Sequence, residues 1–225
     1  MLALAQTAFA GSITVSYSGS IYYSSIPNIS VADTFSGYFT YSLPSPVLSD
    51  GSPTEITYSM DQPNNALYFS VGGYWFAAGP SVNLGLTAWS DYPAGTATDN
   101  FLSVVQNIGS SGSDFSTNYA SAFTIDQIDA QLFGSPGFLQ SNVPPDPFNA
   151  SDIILGPNGG YFSAAGIDLQ QGGSTFAAFG LIDNIQATET PEPASIPLCG
   201  IGLALIVLKR VIDLRQVTDA NTKRV

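Results

Sequence analysis

The sequence predicts a mainly β fold: an antiparallel β-sandwich of jelly-roll-like type, followed by a single C-terminal hydrophobic helix. Three observations predict it. Apolar residues alternate with Ser and Thr at a period of two over much of the chain. Turn-forming clusters interrupt these runs at short intervals. Near the C-terminus, one nearly continuous apolar stretch ends on a pair of basic residues. The 225 residues suffice for one or two domains with a real core, and 22 Gly and 15 Pro are too few for a low-complexity chain.

The elements follow in order. Ile13, Val15, Tyr17 and Ile21 put apolar side chains on one face and hydroxyls on the other. Phe35, Phe39 and Tyr41 repeat the pattern, as do Ile56, Tyr58 and Met60, and then Leu67, Phe69 and Val71. Turns are expected at 44–46, 49–52, 62–65 and Gly72-Gly73. In the second half, 122–125, 152–155 and 161–163 read as strands, and 175–179 with 181–185 as a closing pair. The segment 121–133 also suits a short helix, because Phe123, Ile125, Ile128 and Leu132 share a helical face. Loops are expected over 94–100, 109–116 and 134–149. No fixed repeat argues for a solenoid or propeller, and no linker divides the body, residues 11–188.

Charge narrows the function. All five basic residues (Lys209, Arg210, Arg215, Lys223, Arg224) follow residue 208, and the chain has no His. Residues 1–208 therefore carry 15 of the 17 acids and no base. Such a body does not neutralise phosphates, which excludes nucleic acid as a partner. It also lacks a Walker lysine, a His-based triad, a His-rich zinc site and a Schiff-base lysine. One Cys, Cys199, precludes an intrachain disulfide.

The ends carry addresses. Ala8-Phe9-Ala10 before Gly11 has the small-x-small form of a signal-peptidase site, so residues 1–10 read as the remnant of a signal peptide whose start lies upstream. Ala194 to Leu208 is apolar apart from Ser195, Pro197 and two glycines, and Lys209-Arg210 closes it. Extended through Ile212, the segment 194–212 reads as a transmembrane helix with a cytoplasmic tail, 213–225. Thr190-Pro191-Glu192-Pro193-Ala194-Ser195, the apolar segment and the basic stop together resemble the PEP-CTERM sorting signal of Gram-negative bacteria. The resemblance covers some 20 to 25 residues, with 189–193 as its linker. It implies an exported protein held in the inner membrane until an exosortase cuts it, then released to the surface or to an exopolysaccharide matrix. Here the chain continues from Val211 to Val225, past the point where such signals usually stop. Val31 to Tyr41 and Gly180 to Ile185 resemble the first and last strands of many proteins that bear the same signal.

Chemistry in the body is limited to carboxylates, hydroxyls and aromatic rings. No catalytic residue is assigned, and the chain reads as a non-enzyme. Asp126 with Asp129, or Asp50 with Glu55, are the carboxylate pairs available for glycoside hydrolysis, and all four read better as solvated loop or strand-end acids that keep the protein soluble. Trp89 with Tyr92 is expected to form an exposed platform for a sugar ring, and Trp75 to lie in the core. No cofactor or metal site is assigned. Calcium is the cation that loop acids such as Asp91, Asp99, Asp146 and Asp152, with Asn158, would take, although no recognised calcium loop is present.

Overall fold

The computed structural model describes residues 11–42, 47–52, 55–61, 63–90, 100–107, 115–135, 138–139, 143–145, 147–156 and 162–190. The chain divides into two units, Met1–Pro191 and Glu192–Val225, and every described residue belongs to the first. The expected membrane segment, the basic stop and the signal-peptide remnant lie outside the described residues.

The described part is mainly β, as expected. Twelve strands form one antiparallel sheet: β1 (Ser12–Ser24), β2 (Thr34–Ser42), β3 (Val47–Ser52), β4 (Glu55–Met60), β5 (Ala66–Val71), β6 (Tyr74–Ala78), β7 (Ser81–Ser90), β8 (Asn100–Asn107), β9 (Phe115–Thr117), β10 (Thr124–Gly134), β11 (Ala164–Gln171) and β12 (Ser174–Thr190). Their order is β3-β4-β7-β8-β10-β11-β12-β1-β2-β5-β6-β9, and the sheet curls into a half-barrel. Only Gly79 and Pro80 join β6 to β7, although these strands belong to opposite halves of the sheet. So short a connection requires the halves to face each other, and β5 indeed lies against β10 and β11.

One core fills the interior. Val15, Phe39, Phe69 and Phe76 from one half meet Leu84, Leu86, Ile128 and Leu132 from the other, all fully buried. The outer face of β1, β2, β5 and β6 carries the hydroxyls that alternate with them. The two-residue turns Gly72-Gly73 and Gly172-Gly173 have φ between +56° and +83° at all four positions. This is the pattern of a tight hairpin whose twist matches its strands.

Several expectations are corrected. Residues 121–133 form no helix, because β10 occupies Thr124–Gly134. A register shift between Ile125 and Gln127 adds one unpaired residue, so Ile125 and Ile128 both turn inward. A bulge thus imitates helical spacing. The same effect puts both Ile182 and Ile185 inside, where Asp183 is the unpaired residue opposite Ser18 and Gly19. The expected pair 175–179 and 181–185 is a single strand of 17 residues, because Gly180 stays paired on both sides, with Ile21 and with Ala165. Residues 49–52 continue β3 instead of turning. Residues 150–152 form a short 3-10 turn capped by Asn149, and Ile153 makes an isolated bridge to Gly134. The expected loops at 94–100 and 109–116 fall largely outside the described residues.

Candidate functional site

Among the described residues, the outer face has two places that combine a concavity with polar groups. The larger is an open groove of about 670 Å³ where β1, β2, β5 and β6 run side by side. Register builds it. Asn184, Ser18, Ser36, Ser70 and Trp75 stand opposite one another on five neighbouring strands, and Gln186, Ser16, Tyr38, Tyr68 and Ala77 form the next row. Directly opposed residues of antiparallel strands share a face, so these rows make one continuous surface. Ser36 and Ser70 exchange a hydroxyl hydrogen bond of 3.0 Å. Tyr38 and Tyr68 stack with centroids 5.3 Å apart and planes 13° from parallel.

Trp75 is set firmly at the end of the first row. Its backbone N–H donates to Asn118 Oδ1 at 2.8 Å, and its carbonyl accepts from Thr117 Oγ1 at 2.6 Å. The expectation that Trp75 lies in the core is therefore corrected. The Gly72-Gly73 turn pairs Val71 with Tyr74, which puts Trp75 opposite outward-facing Ser70 and gives the core position to Phe76.

Among the described residues, Asp33 is the one charged side chain lining the groove. It follows Ala32, whose φ of +74° lets both residues oppose Ile21: Ala32 N–H donates to the Ile21 carbonyl, and Ile21 N–H donates to that of Asp33. One oxygen of Asp33, Oδ2, accepts the Ser30 N–H at 2.8 Å. The loop over 25–33 is pinned from below, where Tyr119 Oη donates to the Pro27 carbonyl at 2.7 Å.

The second place is an opening of about 340 Å³ over β10 and β11, lined by Tyr22, Phe133, Phe162 and Phe179 with Asp129 and Gln131 among them. Asp129 is 4% exposed although it lies on the outer face, because Gly166 opposite it lets the Phe179 ring come down beside it. Burial pushes its carboxyl up to about 6, and the neighbouring Asp168 adds to the rise. Its Oδ2 accepts from Gln131 Nε2 at 2.9 Å. Asp168 is also raised, first by burial and then by Asp126. The structure thus clusters Asp126 and Asp129 with Asp168, a residue not singled out from sequence. Among the described residues, Asp129 alone of the three lines the opening, whereas glycoside hydrolysis uses two carboxyls that face the substrate.

The remaining candidates are dispersed. Trp89 is half-buried in β7, between Glu55 of β4 and Phe101 of β8, and Tyr92 lies outside the described residues. Asp152 accepts from Asn149 Nδ2 at 3.0 Å within the 3-10 turn. The other proposed calcium ligands lie outside the described residues. Among those described, no group of three or more acidic or Cys side chains is placed to hold a metal ion. Nor is any helix among them long and apolar enough to cross a membrane.

Tyr38, Tyr68 and Trp75 were not singled out as a surface by sequence reading. The available signal is phase: Tyr38 stands in step with Ser36 and Thr40, and Tyr68 with Ser70, where Phe69 in the core stands in step with Leu67 and Val71; Trp75 has only Ala77 in step with it, so its strand carries no such signal. No family model, curated protein or solved structure matches the chain.

Proposed function

We propose that this is an exported, non-catalytic protein of the cell surface or extracellular matrix. Its jelly-roll-like β-sandwich body would be tethered to the inner membrane by a helix over 194–212 until an exosortase severs the Pro191-Glu192-Pro193-Ala194-Ser195 signal. Exopolysaccharide is the matrix component with which it would associate. The observation that carries the reading is the ordered triplet at the C-terminus: Pro-Glu-Pro, an apolar segment, then Lys209-Arg210.

Two structural features support it. The last described strand runs to Thr190, the residue that immediately precedes Pro191 of the motif. The first strand starts at Ser12, just after the Ala8-Phe9-Ala10 site, and Ser12 pairs directly with Thr190. Both tethers of a membrane-held precursor would therefore leave the body from the same end of the sheet. A body in which residues 1–208 hold 15 acids and no base also suits release, because acidic phospholipid headgroups repel it.

Fractionation of the native host with and without its exosortase tests the proposal. The chain is expected in the membrane fraction when the enzyme is deleted, and in the surface or medium fraction, shortened at its C-terminus, when it is present. Equal membrane retention in both strains overturns the reading.

A further inference from the structure

We infer that the groove over β1, β2, β5 and β6 binds a neutral polysaccharide chain, with Tyr68 and Trp75 stacking on its sugar rings. The inference rests on the described sheet and does not require the sorting signal.

Its shape comes first. The groove is open at the surface, and its volume of about 670 Å³ lies in the range of ligand sites. The part of the first row that lines it, from Ser18 to Trp75, crosses four strands, roughly 14 Å at the usual strand spacing. An open track of that length suits a polymer that runs past its ends, where a single sugar would call for an enclosed pocket.

Its chemistry comes second. Sugars present apolar C–H faces and hydroxyl edges in alternation. Tyr68 and Trp75 occupy neighbouring strands and successive rows, so their rings stand within reach of adjacent positions along one bound chain. Tyr38, 38% exposed and stacked on Tyr68, extends the aromatic strip. Ser36, Ser70 and the Asp33 carboxylate supply hydroxyl and carboxylate partners beside it. Tyr Oη and Trp Nε1 add hydrogen-bonding ends to apolar bodies.

Charge decides which polysaccharide. Among the described residues, the lining holds one carboxylate, Asp33, and no cation, and residues 1–208 contain no Lys, Arg or His. A polyanion such as alginate is repelled from this face, whereas an uncharged chain loses nothing.

The test is electrophoresis of the full chain in detergent through gels containing dextran, a mixed-linkage β-glucan, a galactomannan or alginate. Retardation by at least one neutral polysaccharide and none by alginate is expected. Trp75→Ala and Tyr68→Ala should each weaken it about tenfold or more, while Asp129→Asn, on the other outer patch, leaves it unchanged. Because truncation of a half-buried ring also loosens the sheet, a second readout uses the Trp89→Phe chain, in which Trp75 is the sole tryptophan. Its emission should shift on titration with the polysaccharide that retards the protein. Retardation by none of the neutral polysaccharides overturns the inference, as does an unmoved Trp75 emission. A dimer that Trp75→Ala dissociates, seen by light scattering without any retardation, assigns the face to a second copy and overturns it as well.

Discussion

Two buried serines show that a hydroxyl's effect on stability depends on its partners. Ser163 is fully buried between three segments: its Oγ donates to the Ile154 carbonyl at 2.9 Å and accepts the Phe133 N–H at 3.1 Å. Removing it takes the Ser163 partner from a carbonyl and an N–H that are both partly buried, and each then carries a desolvation cost that the hydroxyl had offset. Ser59 is 2% exposed, and its Oγ has no hydrogen-bond partner among the described residues. The same substitution should therefore act in opposite directions. Ser163→Ala is expected to destabilise by about 1–3 kcal/mol, and Ser59→Ala to be neutral or to stabilise by up to about 1 kcal/mol. Urea midpoints of the two variants, read at unchanged m-value, check both signs. Equal losses would mean that burial alone, not pairing, sets the contribution.

Among the elements, close packing of rings on glycines shapes the sheet. A Cβ added at Gly37 would sit 2.5 Å from the Tyr17 ring, and one at Gly180 would run into that of Phe35. Tyr17 is also fixed at its far end, where Oη donates to the Tyr68 carbonyl at 3.1 Å, so it does not swing away. Gly37→Ala should cost about 1–3 kcal/mol through overpacking. A thermal midpoint unchanged from that of the parent would sink the argument. These elements also show how far the sequence could be read. Strands with unbroken alternation, such as those around Val15, Phe39 and Phe69, were legible because each second residue had to face one core. Strand β12 was divided at Gly180 although it runs on through it, and β10 was misread where a bulge put Ile125 with Ile128 on the same side. Their i, i+3 spacing belongs to two strands in register, information that one segment does not contain. The groove was hidden for a related reason. Tyr38, Tyr68 and Trp75 are 37 positions apart from first to last, and only pairing of β2, β5 and β6 assembles them.

At the scale of the whole molecule, the missing cations reverse the usual response to acid. Most folded proteins lose stability as pH falls because native ion pairs hold their carboxylates below the unfolded values. Residues 1–208 contain no Lys, Arg or His with which such pairs could form. Burial instead raises Asp129 from 3.8 to about 6, and Asp168 moves the same way. Between those values the folded state binds more protons than the unfolded chain, so stability falls as pH rises. The cost is absent below about pH 4, grows through the window and is complete above about pH 6. For Asp129 it is on the order of 3 kcal/mol. General repulsion among the acids adds to it and is screened by salt. The chain should therefore melt several degrees higher at pH 5 than at pH 7.5 in low salt, with about 0.5 M NaCl recovering part of the difference at the higher pH. Asp129→Asn should raise the midpoint at pH 7.5 and flatten the slope between the two values, because an amide keeps an acceptor for Gln131 without a charge to bury. A midpoint that falls on acidification from pH 7.5 to 5 would show that the buried carboxyl is stabilised as an anion by groups other than those that surround it here.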